Sequence, residues 1–160
     1  MNHKIITIKN APTQERKGYN ANLAMLLKIP VTTLINKIFM NIEFEGKKEL
    51  QQELRRKWTS YQSQDKKKKK YNATSFITYE ELLELLVSSR MRCHYCRHLV
   101  QLIYKCQREP YQWTLDRIDN SLGHNTKNVV MSCLQCNLQR RTQNKKKFLY
   151  SKQMRIIKQQ

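Results

Sequence analysis

Acidic side chains are scarce in this 160-residue sequence: 12 Asp and Glu stand against 31 Lys and Arg, for a formal charge of +19 and a pI near 10.0. Residues 1–72 carry 16 basic and 6 acidic side chains and the remainder 15 and 6, so no single basic tail accounts for the excess. Such a field repels itself and is relieved beside a polyanion, which makes nucleic acid the expected partner. Glycine and proline number three each, which argues against a glycine-rich phosphate cradle and a low-complexity tail. No apolar run approaches the roughly 20 residues of a membrane span. The stretch Met1–Ile8 is too short in apolar residues for a secretory signal, so the expectation is an intracellular protein, cytoplasmic or nuclear. Five cysteines cannot all pair within the chain, and without a secretory signal they fit metal binding better than disulfides. Hydrophobic residues at 39% allow a thin core, in one domain or in a small domain with a helical extension.

The N-terminal part reads as helical. Asn20 to Lys28 holds Leu23, Met25, Leu26 and Leu27 and stops at Ile29-Pro30, because proline disfavours helical geometry in the residue before it. Val31 to Phe39 places Val31, Leu34, Ile35, Ile38 and Phe39 on one helical face. The pair reads as a helical hairpin. A helix-turn-helix is the alternative, with Thr32, Thr33, Asn36 and Lys37 turned towards a DNA groove. A third helix is expected from Lys47 to about Tyr61, with Leu50, Leu54, Trp58 and Tyr61 stacked along it. Lys66, Lys67, Lys68, Lys69 and Lys70 then form a like-charge block, read as a solvated linker that can also grip phosphate.

Order is expected to resume at Thr78. Thr78 and Glu81 make a capping box, with Ile77 and Leu82 placed as a hydrophobic staple, and the helix Tyr79–Ser89 leads to Cys93. Cys93-x-x-Cys96 and Cys133-x-x-Cys136 are two knuckles that can supply the four corners of a tetrahedral zinc site. With four thiolates the metal keeps no open position, so this zinc is expected to be structural and to supply much of the folding free energy. Cys106 is left over as a small apolar side chain, and His94 reads as a surface residue or a substitute ligand. Between the knuckles, Thr114–Ile118 and Asn128–Ser132 read as antiparallel strands, and Asn137 to about Lys147 as a basic helix.

The run "LDRIDNSLGHNTKNVVMSCLQCN", preceded by "CHYC", resembles the HNH, or ββα-metal, endonucleases, and in look the recombination endonuclease VII-like branch with its two Cys-x-x-Cys knuckles. The resemblance covers about Cys93 to Arg141. It implies an α+β fold in which a helical basic region, residues 1–72, precedes a zinc-clamped HNH-like domain, residues 73–160. It implies a DNA endonuclease in which Asp116 and Asn137 hold a catalytic Mg²⁺ or Mn²⁺ and Asn128 braces the loop between the strands. The family's general base, a histidine after the strand aspartate, is here Arg117, which cannot accept a proton at neutral pH but can clamp a phosphate oxygen. His124 in the inter-strand loop is then the candidate base, and water activated on the metal alone is the other repair. Loss of catalysis would leave a DNA-binding protein, architectural or regulatory. Arg140, Arg141, Lys145, Lys146 and Lys147 are expected to meet the DNA backbone, branched or distorted DNA included. Paired nicks would suit a homodimer. RNA binding through the knuckles is a weaker reading.

Overall fold

The computed structural model describes residues 14–154. Among those residues the fold is mixed α+β, with six helices and one two-stranded antiparallel sheet. Helix α1 is Ala21–Leu26, α2 Val31–Phe39, α3 Lys47–Lys67 and α4 Tyr79–Ser88. Strands β1, Trp113–Arg117, and β2, Val129–Cys133, follow, then α5, Leu134–Arg140, and α6, Lys145–Gln153.

Local chemistry explains most of these boundaries. Asn20 caps α1 by accepting from Leu23 N at 3.0 Å, and the chain turns at Leu27, two residues earlier than the sequence suggests. Helix α2 buries Leu34, Ile35 and Ile38 and leaves Thr33 and Asn36 exposed. Helix α4 starts on the expected capping box: Thr78 Oγ1 accepts from Glu81 N at 3.1 Å, and Thr78 N donates to Glu81 Oε2 at 2.8 Å.

Helix α3 runs further than expected. Lys66 and Lys67 form its last turn rather than a linker, where positive charge suits the negative end of the helix dipole. Asp65, read in the sequence only as the residue before the lysines, is fully buried and pins that turn. Lys69 takes a left-handed φ of 54°, and Lys70 N closes the end on Asp65 O at 2.8 Å.

The expected helix from Asn137 to Lys147 is two helices. Helix α5 follows β2 directly, with Cys133 as its N-cap, and ends at Arg140, the next residue, Arg141, taking a φ of 50°. Helix α6 restarts on Asn144, whose side chain accepts from Lys146 N and Lys147 N. The cause of the break is Arg140, which turns inward and draws the carbonyls of Arg117 and Gln143 onto its guanidinium.

Leu23, Leu26, Leu34, Leu50, Leu54, Leu82, Leu86, Trp113, Leu115 and Met131 belong to one buried cluster. Each fully buried Leu contributes about 1.5–3 kcal/mol relative to exposure. The division expected near residue 72 therefore falls in the α3–α4 connection, while the apolar core runs across it. Tyr61 joins the two sides directly, since its hydroxyl accepts from Leu115 N at 3.0 Å. Among the described residues no helix is long and apolar enough to cross a membrane.

Candidate metal centre and the strand–helix junction

The first knuckle is the tip of a tight turn. Arg92 and Leu99 bridge antiparallel, Arg97 N donates to Cys93 O at 3.0 Å and Cys93 N to His98 O at 2.9 Å. His94 N reaches Met131 O at 2.9 Å and ties this turn to β2. The second knuckle straddles the end of β2 and the first turn of α5, where Cys133 Sγ accepts from Cys136 N at 3.4 Å. These two turns bring the Sγ atoms of Cys93, Cys96, Cys133 and Cys136 within 4.8 Å of one another. Cys96 and Cys133 lie 3.9 Å apart, Sγ to Sγ. Tetrahedral zinc with bonds of about 2.3 Å places its sulfurs roughly 3.8 Å apart, so the donor set and spacing fit zinc. Hydrogen bonds from the Cys133 and Cys136 thiols push the Cys93 thiol down, towards the thiolate a metal needs. His94 stands outside the cluster, half-buried, with Nε2 enclosed and without a hydrogen-bond partner among the described residues. Cys106 is also outside it and half-buried.

The four-cysteine cluster sits at the junction of β1, β2 and α5. Strand register pairs Trp113 with Cys133 and Asp116 with Val130. On β1, Thr114 and Asp116 share one face because side chains alternate along a strand, and α5 packs there. Asn137 donates from Nδ2 to Thr114 Oγ1 at 3.1 Å and to Leu115 O at 3.2 Å. One turn on, Arg140 forms a bidentate pair with Asp116: Nε to Oδ2 at 2.6 Å and Nη2 to Oδ1 at 3.0 Å. Tyr95 Oη donates to Asp116 Oδ2 at 2.5 Å. Burial first, then this bond to Asp116, pushes the Tyr95 phenol upward and keeps it protonated.

Asp116 does not offer a free carboxylate to a divalent cation. Both oxygens accept from a guanidinium, a positive charge already stands where the ion would need to be, and the aspartate is 4% exposed. The residues as arranged do not fit a catalytic Mg²⁺ or Mn²⁺. Arg140, expected on the DNA-facing surface, is 1% exposed, because its fork is consumed by Asp116 and by the carbonyls of Gln143 and Arg117.

His124 is not a swinging base. Its ring Nδ1 is 2.8 Å from Asp65 Oδ1 and its backbone N donates to Asp65 Oδ2 at 2.6 Å. The Tyr61 ring lies 4.6 Å from the imidazole, centroid to centroid. A Cβ at neighbouring Gly123 would meet Lys70 O at 2.5 Å, so the loop is pressed onto the end of α3. Asn128 holds the same loop from within: Nδ2 donates to Asp119 O and Gly123 O, and Oδ1 accepts from Asp119 N. Arg117 is half-exposed, with Nη1 on Leu122 O at 3.2 Å.

Burial depresses the His124 pKa, outweighing the opposing pull of Asp65. The unfolded chain then takes up the proton more readily, so this residue's contribution is complete above the unfolded value of about 6.5 and declines as pH falls below it. Between about pH 7.5 and 5.5, with zinc saturating, the wild-type unfolding midpoint should drop more than that of His124→Gln. Parallel pH profiles would mean that the ring is not held neutral.

Of the other expected DNA contacts, Lys66, Lys67, Lys68, Lys69, Arg141, Lys146 and Lys147 are exposed, and Lys145 is half-buried. Lys70 is diverted inward, where its Nζ donates to Asn120 O. Lys145 and Lys146 border a cleft of about 590 Å³ beside Arg140, closed on the other side by Asp119, Asn120 and Ser121. Asp65 is the residue that sequence reasoning missed, and its polar side chain amid a lysine run gave no periodic signal. Met154 is exposed, while Ile156 and Ile157 lie outside the described residues.

No family model, curated protein or solved structure matches this chain. Its class is thus defined by its own features: an α+β protein with a four-cysteine centre able to bind a metal such as zinc.

Proposed function

We propose that this protein binds DNA through a zinc-clamped ββα frame of the HNH type and does not hydrolyse it. The observation that carries the second half is the Arg140 guanidinium on both oxygens of Asp116. The +19 charge and the exposed lysines and arginine around α3 and α6 support the first half. Zinc, on the four cysteines, would fix the strand–helix junction and take no part in chemistry. The exposed cations meet phosphates as point charges and confer affinity without sequence preference.

A second reading, a metal-dependent endonuclease, is favoured by one observation. Asp116 and Asn137 arise from β1 and α5 on the same side of the junction, as the family resemblance requires. It requires Arg140 to leave the carboxylate.

The experiment is incubation of supercoiled plasmid with the purified protein in Mg²⁺, Mn²⁺ or chelator, alongside a binding assay across salt concentrations. The expected result is binding that weakens steeply with salt and no metal-dependent nicking, branched DNA included. Reproducible nicking that disappears in Asp116→Ala, with fold and zinc content intact, would replace this proposal with the endonuclease. On the binding side, Lys146→Gln and Lys147→Gln should each reduce the salt slope by about 0.9. An unchanged slope in the double variant would remove α6 from the interface.

A further inference from the structure

A cluster of cations gathers around a hollow whose lining does not include Asp116. Arg16, Lys17, Arg56 and Lys57 surround a hollow of about 370 Å³, and Ser60 and Tyr104 complete its wall. It shares no lining residue with the cleft beside Arg140.

Two of the four cations are built in. Arg16 is carried to the site by backbone pairing, with Arg16 N on Lys105 O at 2.9 Å and Gln107 N on Gln14 O at 3.0 Å. Its guanidinium lies 4.1 Å from the Tyr104 ring centroid, donates to Tyr104 O at 2.9 Å and pairs with Glu53. Lys57, from α3, donates to the Trp113 carbonyl, to Tyr104 Oη at 3.1 Å and to Gln112 Oε1 at 3.1 Å. None of those acceptors is ionised. Arg56 and Lys17 are exposed at the mouth, and Arg56 also bonds to Glu53 at 2.9 Å. Glu53 thus answers two of the cations, while Lys17 and Lys57 have no ion-pair partner among the described residues.

We propose that this hollow binds a phosphate monoester, the dianionic group of a nucleic-acid strand end or of a free nucleotide. Four basic side chains against one carboxylate leave a net positive charge facing the hollow, which suits a group of charge about −1.5 to −2 better than a singly charged diester. Two arginine forks match phosphate oxygens in shape. The volume admits the group with bridging water, each water needing about 30 Å³. Burial, then Arg16 and Arg56, hold the Lys57 ammonium well below the usual lysine range, and an anion in the hollow would relieve that strain.

The site goes beyond the general DNA-binding proposal and is tested apart from it. Inorganic phosphate is titrated into the full-length zinc-loaded protein and followed by amide chemical shifts. Saturable shifts at Arg16, Arg56, Lys57 and Tyr104 are expected. Duplexes ending in 5′-phosphate or 5′-hydroxyl are then compared at fixed salt, with a preference of about tenfold for the phosphate end. The preference should fall to near unity in Lys17→Gln/Arg56→Gln, two exposed positions whose exchange leaves the melting curve little changed, any loss of general affinity being shared equally by both ends. A nucleoside monophosphate that competes as well as the strand end would identify the free nucleotide as the source. Phosphate shifts in a protein that fails to bind 5′-hydroxyl duplex would support this site while removing general DNA binding. Absence of saturable shifts at these residues, together with equal affinity for both ends, would overturn it.

Discussion

A chelator able to strip zinc from four thiolates is expected to unfold the whole described chain in one transition. Structural zinc sites of this kind carry apparent binding free energies of about 10–16 kcal/mol, comparable to the entire stability of a domain, about 5–15 kcal/mol. Here the cluster closes the turn at Cys93–Cys96 onto the start of α5, and thereby holds β1 beneath α5. The collapse should extend to α1–α3, because Leu50 and Leu54 share one core with Trp113 and Leu115. Cys133→Ser should act as the chelator does, while Cys106→Ser should leave the melt within about 0.5 kcal/mol of wild type. The measurement is far- and near-ultraviolet circular dichroism beside zinc content by atomic absorption. Near-ultraviolet signal lost while helical signal persists would make α1–α3 an independent unit. A full melt unchanged in zinc-free protein would remove the structural-metal assignment altogether.

What the sequence made legible follows from which signals are local. The capping box at Thr78 is read within four residues, and α4 starts there. The Cys-x-x-Cys spacings are read the same way, and the four sulfurs do converge. Strands β1 and β2 were displaced by a single residue because β propensity marks a stretch and leaves its end to pairing, which the register Trp113 to Cys133 decides. The long-range partners were not legible. Nothing near Asp65 announces that it will meet His124 across 59 positions, and the pairing is what extends α3 through the lysines. Nor does the basic run after Asn137 announce that Arg140 turns inward while Arg141 stays outside. A charge pattern gives the sign of a surface, and only packing tells which member is withdrawn from it. Asp116 and Asn137 do fall on β1 and α5, yet the chemistry open to them depends on one arginine that the sequence grouped with the DNA contacts.

That arginine gives the second large effect. Arg140→Met should destabilise the protein by about 3–5 kcal/mol, since it leaves the Asp116 carboxylate buried without its counter-ion. Asp116→Leu should cost a similar amount by stranding the guanidinium. Together with Tyr95→Phe, which removes the hydroxyl that would otherwise lose its acceptor, the combined variant should regain most of that loss, because apolar replacement of a buried ion pair is commonly neutral or stabilising. Urea unfolding of the single and combined variants measures this coupling. Additive losses would mean that the pair is not formed in solution. Plasmid binding by the refolded combined variant carries the functional consequence. A protein that lacks both Asp116 and Arg140 and still binds DNA with the wild-type salt slope uses the junction as a brace for its basic surface. One that binds normally but loses a metal-dependent nicking present in the wild type would show that the carboxylate had been reached by a metal after all, with Arg140 as the group displaced.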